Sequence, residues 1–355
     1  MTKAEKIASY DPNGVGRLND GMFGLPFTED ECQIMLVPVP WEVTVSYGGG
    51  TAQGPEAIHK ASYQVDLLDP FVKDAWKLGI AMENIDEEIK NKSQRLRIIA
   101  EEYIHALANG ADQNNSELHR ISDEITQACL QMNAWVKNRC SHWLKRSKVV
   151  GLVGGDHSTP LGMIQALAEI HPSFGILQID AHADLRKAYE GFEFSHASIM
   201  YNALKIKEVN RLVQVGIRDY CQEELSLIEN SKGRVRTFFD RDIKYERFRG
   251  DSWERICARI VKELPDLVYL SFDIDGLDPK LCPHTGTPVA GGFETEEVLY
   301  LLEKIVQSGR KLIAFDLNEV SPGPEGDEWD ANVAARILYR IANLVAKSQN
   351  KSHEV

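Results

Sequence analysis

The feature that most constrains the fold is the regular alternation of short apolar runs with amphipathic stretches along the 355-residue chain. Runs rich in β-branched and aliphatic residues predict eight strands, at 34–37, 78–82, 148–153, 174–179, 212–215, 235–239, 267–272 and 312–315. Between them, apolar residues recur at helical spacing in segments such as 160–170, 254–264, 296–306 and 332–346. Strands that alternate with helices predict an α/β fold, in which helices cover a largely parallel sheet.

The number of strands alone does not fix how the sheet closes. An open doubly wound sheet and a closed eight-stranded barrel are both possible, and both place active sites beyond the carboxyl ends of the strands. Residues 85–146 are longer than one crossover requires and predict two helices, at 94–109 and 117–143. Because no internal repeat or flexible linker is evident, we expect one domain over residues 1–355. Its expected parts are a core at about 33–346, an N-terminal extension at 1–32 and a frayed tail at 348–355.

Charge and composition argue against several classes of function. The chain carries 40 Lys and Arg against 53 Asp and Glu, a formal charge of -13, which disfavours nucleic acid or an anionic membrane as a partner and suits a small cationic substrate. Residues 1–10 lack the apolar core of a secretory signal, and no apolar stretch reaches the roughly 18 residues that span a bilayer. The six cysteines form no CxxC pair. We therefore expect a cytoplasmic protein with reduced cysteines.

Three side chains that can bind a metal ion directly follow the predicted strand at 174–179. Asp180, His182 and Asp184 alternate with alanines. In an extended chain, side chains two positions apart share a face, so these three groups can converge just beyond the strand end. Three polar groups on one side of a buried strand would be costly without a ligand, unless each were paired. The pattern therefore predicts a metal site.

Two further carboxylates follow the predicted strand at 267–272. Asp273 and Asp275 lie on one face, and Ile274 between them faces the core. Like charges so close repel each other and tend to retain a proton unless a cation lies between them. A lone Asp-x-Asp pair is weak evidence for a metal site, but a second cluster at a strand end strengthens the prediction from the first.

A histidine after a third predicted strand completes the ligand set. Gly154 and Gly155 allow a tight turn after the strand at 148–153, which presents His157 at the same edge of the sheet. The turn lacks the Gly-Lys-Ser/Thr sequence of a phosphate-binding P-loop. Four carboxylates and two imidazoles suit Mn2+ better than a structural zinc, with nickel, cobalt and iron as alternatives. Four negative charges balance two divalent ions, and a water shared by two such ions ionises near neutral pH.

Together these segments resemble the motifs of the ureohydrolase family, which includes arginase, agmatinase, formimidoylglutamase and guanidine hydrolases. They lie at 154–158, 180–184 and 271–279, in the family's order. The resemblance implies a three-layer α/β/α fold on a mainly parallel eight-stranded sheet, which decides against the barrel. It also implies two Mn2+ ions per subunit. One would be bound by His157, Asp180, Asp184 and Asp273, and the other by Asp180, His182, Asp273 and Asp275.

The resemblance also implies catalytic and substrate-binding roles. His196, in the segment 193–198, is similar to the family's proton-relay histidine, and an imidazole titrates near the working pH. Asp184 would share in this proton transfer. Glu319 is similar to the glutamate that pairs with the guanidinium group, since a carboxylate can accept two parallel N–H bonds. The implied reaction releases urea and an amine.

Details of the motifs favour agmatinase-like members of the family. The segment 191–196 resembles agmatinase, and the Ser- and Asn-rich stretch of typical arginases is absent. Agmatine, cleaved to putrescine and urea, is therefore the expected substrate, with arginine, guanidine, a guanidino acid or a formimidoyl compound as alternatives. Ala197 and Ser198 depart from the agmatinase pattern, and His284 stands where a glycine is common.

Two rival interpretations come from other classes of protein. A non-catalytic metal-binding homologue would not need the complete ligand set together with His196 and Glu319. A zinc amide hydrolase on a related fold would be expected to have paired adjacent histidines, which the sequence lacks. Members of the ureohydrolase family usually form homo-oligomers, so the resemblance implies a trimer or hexamer.

Overall fold

The computed structural model describes residues 1–16, 20–112 and 115–351. Its strands are β1 (Ile34–Val39), β2 (Ile80–Met82), β3 (Val149–Gly154), β4 (Phe174–Ile179), β5 (Val209–Val215), β6 (Val235–Phe238), β7 (Leu267–Asp273) and β8 (Lys311–Asn318). Its α-helices are α1 (Lys3–Ser9), α2 (Gly54–Ser62), α3 (Glu87–Ala108), α4 (Ser116–Leu144), α5 (Leu161–Ala168), α6 (Ile199–Ala203), α7 (Gln222–Asn230), α8 (Asp240–Phe248), α9 (Trp253–Glu263), α10 (Thr295–Gln307) and α11 (Trp329–Ser348).

All eight strands belong to one parallel sheet with the order β2-β1-β3-β8-β7-β4-β5-β6. Every residue of β1, β3 and β4 is buried, as expected for parallel strands that are covered on both faces. One helical group, α4 with α5, packs on β1 and β3, and a second group, α2 with α10 and α11, packs on β3 and β8. The fold is therefore a three-layer α/β/α arrangement, and the sheet is open, with β2 and β6 at its edges.

The eight predicted strands are all present. The strand at 174–179 has the predicted bounds, and the others have shifted boundaries. The strand predicted at 78–82 begins only at Ile80, because Ala75–Leu78 forms a short 3-10 helix and Gly79 has a φ of 78°. The first of the two predicted long helices begins seven residues earlier than expected, at Glu87 instead of 94. Asp86 explains this start, because its side chain accepts hydrogen bonds from the amides of Glu88 and Ile89.

The segment before β1 packs into the same apolar core as the sheet. Met22, Phe23, Leu25 and Phe27 are each at most 5% exposed and belong to the core cluster. At the other end, α11 continues to Ser348, and residues 352–355 of the predicted tail lie outside the described residues. In the described ranges, no helix has both the length and the apolar character needed to cross a membrane.

Candidate active site

Four adjacent strands deliver the predicted site residues to one edge of the sheet. In the order β3-β8-β7-β4, these strands are followed or ended by His157, by Glu319, by Asp273 with Asp275, and by the segment 180–184. Parallel strands have their carboxyl ends at the same edge, so residues far apart in sequence meet there.

The first group of candidate ligands surrounds the imidazole of His157. Its Nδ1 lies 3.0 Å from Asp180 Oδ2, 3.0 Å from Asp184 Oδ2 and 3.1 Å from Asp273 Oδ2. All four side chains are almost completely buried. Among the described residues, His157, Asp180 and Asp273 form one of two groups whose ligand atoms could hold a metal ion, since these atoms lie within 4.8 Å of one another.

The second group lies beside the first and shares one residue with it. His182 Nδ1 is 2.9 Å from Asp275 Oδ2 and 3.7 Å from Asp180 Oδ1. Asp180 thus directs one carboxylate oxygen at each histidine. Asp180, His182 and Asp275 form the other group with metal-ligand geometry, so the donor set fits two ions that share the Asp180 carboxylate.

The side chains converge through turns, whereas the sequence pattern predicted that they converge from an extended chain. β4 ends at Ile179, and Asp184 has a φ of 55°, a left-handed conformation that is uncommon for a non-glycine residue. Asp275 lies in a 3-10 turn after Asp273, whose side chain accepts a hydrogen bond from the Asp275 amide at 2.9 Å. Left-handed backbone at a cluster of polar groups is typical of functional sites.

Burial and mutual repulsion perturb the pKa values of these carboxyl groups. Burial, together with the charge of Asp180, raises the pKa of Asp184 to about 7. Burial and the charge of Asp275 raise the pKa of Asp273 well above its usual value. Burial opposes a charged imidazole at His157, but its interactions with the carboxylates of Asp180, Asp184 and Asp273 raise its pKa well above the ordinary value. A divalent cation among these groups would offset the repulsion between the carboxylates and favour their ionised forms.

A second layer of side chains orients His157. Its Nε2 is 2.9 Å from Ser271 Oγ, and the Ser271 hydroxyl donates to Asp316 Oδ1 at 3.1 Å. Ser271 and Asp316 are fully buried. A metal-binding histidine commonly has its other ring nitrogen fixed in this way. The sequence analysis missed both residues, although a polar residue within an apolar strand was a usable signal.

Arg218 is a further residue that the sequence analysis missed. Its guanidinium group donates to the carbonyl oxygens of Asp275 at 2.6 Å, Leu277 at 3.0 Å and Val289 at 2.9 Å. Arg218 follows β5, which is separated from β7 by β4, and it therefore fastens the turn that carries Asp275 across the end of β4. Nothing local in the sequence indicates these contacts, because the acceptors are main-chain groups about 60 to 70 residues away.

His196 lies in the cavity that opens onto the candidate metal centre. It is 9% exposed and lines this cavity together with Ser46, His182 and Asp184. Its Nε2 is 3.4 Å from Ser46 Oγ, and its Nδ1 is 3.2 Å from Ser195 Oγ. Burial, together with the nearby His182, lowers the pKa of His196 to about 3.

Glu319 lies beside His157 and does not itself line the cavity. Its Oε1 accepts a hydrogen bond from the His157 amide at 2.8 Å, and its own amide donates to the Gly155 carbonyl oxygen at 2.9 Å. Its Oε2 is buried and has no hydrogen-bond partner among the residues that the structure describes. Burial and the charge of Asp156 raise the pKa of Glu319 well above its usual value. The residue has a φ of 64°, so its side chain is held in an uncommon backbone conformation.

Comparison with known proteins identifies the family. A family model for the arginase family matches residues 32–343. The chain belongs to the arginase family. N(1)-aminopropylagmatine ureohydrolase of Thermus thermophilus is 32% identical over 315 residues, which are 89% of this chain and 91% of that protein. Agmatinase of Bacillus subtilis is 26% identical over 318 residues, 88% of this chain and 91% of that protein.

Solved structures agree with this arginase-family fold. The agmatine ureohydrolase of Thermoplasma volcanium superposes with a TM-score of 0.68 at 19% identity, over 98% of this chain and 99% of that chain. Arginase of Bacillus subtilis superposes with a TM-score of 0.61 at 19% identity, over 88% and 98% of the two chains. At these identities the likeness bears on the fold alone, and it confirms the predicted three-layer architecture.

Proposed function

We propose that this arginase-family protein hydrolyses the guanidino C–N bond of an agmatine-like cation and releases urea and an amine. The observation that carries the proposal is the pair of metal-ligand groups that share Asp180, with the unpartnered Oε2 of Glu319 close by. Membership of the arginase family and the names of the similar ureohydrolases support the same chemistry.

We propose that the site holds two Mn2+ ions, with nickel, cobalt and iron as alternatives. Oxygen-rich ligand sets with two imidazoles suit such ions, and four nearby carboxylates balance the charge of two divalent cations. Two divalent ions at this position would lower the pKa of water and so supply hydroxide near neutral pH. His157, Asp180, Asp184 and Asp273 would hold one ion, and Asp180, His182, Asp273 and Asp275 the other.

Glu319 orients the guanidinium group of the substrate. Its Oε1 is held by the His157 amide, so Oε2 remains to accept an N–H bond from the ligand. Gly286 leaves room there, because a Cβ at its position would lie 3.2 Å from this oxygen. The carboxylate thereby fixes the guanidino carbon next to the metal centre.

His196 and Asp184 move the protons of the reaction. Burial lowers the pKa of His196 to about 3, so the ring is neutral at the working pH and, once protonated, gives up its proton readily to a group in the cavity. Asp184 lines the same cavity. We propose that these two groups transfer a proton to the departing amine.

Two charged side chains that line the cavity indicate which group the substrate carries at the end away from its guanidino group. Asp219 lines it with a carboxylate that is 68% exposed and 4.0 Å from His182, a position that favours a second cationic group. Arg186 lines the same cavity and stacks over Tyr189 at 4.7 Å, which favours a carboxylate-ended substrate as a second candidate. Guanidinobutyrase of Pseudomonas aeruginosa, 31% identical over 194 residues, supports that second candidate.

Urea release from a panel of substrates tests the proposal. Agmatine, aminopropylagmatine, arginine, guanidinobutyrate and guanidine are each supplied to the Mn2+-reconstituted protein, beside an Asp273→Asn control. We expect the highest kcat/KM for agmatine or its aminopropyl derivative, and no urea from the control. A preference for guanidinobutyrate that Arg186→Gln removes would favour the guanidino-acid reaction instead. No urea from any substrate, despite two bound ions, would contradict the proposed chemistry.

We further propose a cytoplasmic homo-oligomer, a trimer or a hexamer. The resemblance to ureohydrolases supports the oligomeric state. The acidic composition is a separate observation, which is compatible with a small cationic substrate. Sedimentation velocity of the metal-loaded protein tests the oligomeric state. A monomer at micromolar concentration would contradict it.

A further inference from the structure

A row of polar side chains crosses the buried sheet next to Asp180. Gln178 on β4 is paired in register with Gln214 on β5, and Gln214 is paired with Thr237 on β6. Both glutamines have no exposed surface. Uncharged polar side chains in the interior of a sheet are costly unless their hydrogen bonds are made. These residues play no part in the reaction described above.

The first glutamine supports Asp180 directly. Gln178 Nε2 donates to Asp180 Oδ2 at 2.7 Å and to the His182 carbonyl oxygen at 3.2 Å. Both hydrogens of the Gln178 amide therefore bond to the segment 180–182, which contains the shared candidate ligand Asp180. A reversed amide would place Gln178 Oε1 against a carboxylate and a carbonyl oxygen, where it would be repelled.

The next two residues hold the first in place. Gln214 Nε2 donates to Gln178 Oε1 and to the Ala183 carbonyl oxygen, each at 2.7 Å. Thr237 Oγ1 donates in turn to Gln214 Oε1 at 2.8 Å. Along the row, each glutamine accepts at Oε1 from the residue on the β6 side and donates from Nε2 toward the segment that carries Asp180. A hydroxyl can donate or accept, so the amide orientations are set by acceptor-only groups at the Asp180 end of the row. The hydroxyl of Thr237 completes the row by donating to Gln214 Oε1, which holds Gln214, and through it Gln178, in place.

We propose that Gln178, Gln214 and Thr237 form a positioning relay that sets the metal affinity of the site by fixing the carboxylate of Asp180. None of the three is itself a metal ligand or touches the cavity, so each acts through its neighbour. Hydrogen bonds to ligating carboxylates typically change metal affinity by about 10- to 100-fold when they are removed. This inference rests on the proposed metal centre.

The distant end of the relay gives the sharpest test. Thr237→Val keeps the shape of a β-branched side chain on a partly exposed edge strand and removes only the hydroxyl donor. We expect the dissociation constant for Mn2+, measured on the full chain by competition with a chelator, to rise by about tenfold. A purely structural role would lower the melting temperature of the metal-free protein without changing this constant.

A double-mutant cycle tests whether the residues act in series. Gln178→Met removes the amide that touches Asp180 and should weaken Mn2+ binding by about 10- to 100-fold. Because Thr237 acts through Gln178, the variant with both substitutions should bind as weakly as Gln178→Met alone. Ser62→Ala is the matched control, since it removes a buried hydroxyl that donates to the His59 carbonyl oxygen and accepts from the Phe23 amide. This control should leave the dissociation constant unchanged.

The outcomes separate this inference from the proposed function. Independent, multiplicative effects of the two substitutions would overturn the relay, as would unchanged affinity in both single variants. Failure of the unmodified chain to bind Mn2+ would instead contradict the proposed metal centre, on which the relay depends.

Discussion

Asp180 is the residue on which both halves of the candidate metal centre depend. Its two carboxylate oxygens face His157 and His182 respectively. The sequence predicted this role from the alternation of metal-binding side chains after a strand. It could not predict Ser271, Arg218 or the glutamine pair, because their contacts join residues that are distant in sequence. Polar groups within apolar strands were the only local signal for Ser271 and the glutamines, and Arg218 had no local signal.

Glu319 is predicted to act on the substrate and not on the metal. Glu319→Gln keeps the size of the side chain and removes its charge, so the pairing with the guanidinium group weakens. We expect kcat/KM for urea release to fall on the order of 100-fold or more, with bound Mn2+ unchanged. Glu325→Gln is the matched control, because Glu325 also has a positive φ but is exposed on a nearby loop. Full activity of Glu319→Gln would contradict the assigned role.

Metal binding should strengthen as the pH rises. Burial and nearby charge raise the pKa of Asp184 to about 7 and that of Asp273 well above its usual value. Below about pH 7, the folded metal-free chain therefore binds protons that the unfolded chain has already lost. The stabilisation of the folded chain that these protons provide is lost as the pH rises through about 7. The raised pKa of His157 acts in the same direction.

Because metal ions must displace these protons, apparent Mn2+ affinity should increase by about tenfold per pH unit for each proton released, between pH 5 and 7. Calorimetry in buffers of different ionisation enthalpy measures the proton release, and Asp184→Asn should reduce it. An affinity that does not depend on pH would be inconsistent with this electrostatic description.

At the scale of elements, the turn after β3 shows why glycine is needed near the site. A Cβ at Gly155 would lie 1.9 Å from the Trp41 carbonyl oxygen, while the Gly155 amide donates to the Val39 carbonyl oxygen at 2.8 Å. The turn at Gly155 and the segment 39–41 after β1 are thus in direct backbone contact. The sequence predicted a tight turn here, but the long-range contact with Trp41 could be found only in the folded structure.

We expect Gly155→Ala to destabilise the protein by about 1–3 kcal/mol or more, since the backbone must move to relieve the collision. Chemical denaturation measures this change. Gly49→Ala is the control, because a Cβ there meets no atom within 4 Å, and its effect should stay within about 0.5 kcal/mol. Equal stability of the two variants would show that the close contact is not rigid.

At the scale of the whole molecule, strand order is the property that local sequence patterns left open. Periodicity predicted eight strands, and the ureohydrolase resemblance favoured an open sheet. The observed order places β3, β8, β7 and β4 side by side, which is what gathers the site. No local pattern gives this order, because it depends on which crossovers pack over which face of the sheet.

We propose that the chain is a single domain, supported by one apolar core cluster that runs from Met22 to Ala346. Heating the metal-free protein should then give one cooperative transition, with calorimetric and van't Hoff enthalpies that agree. Two separated transitions would contradict a single domain.

The most direct test of the central claim is urea release measured as a function of Mn2+ bound per chain. We predict that activity toward agmatine rises to its maximum as the second equivalent binds, and that Asp180→Asn binds Mn2+ poorly and releases no urea. Full activity with one equivalent or none, or an active Asp180→Asn variant, would contradict a two-ion site bridged by Asp180.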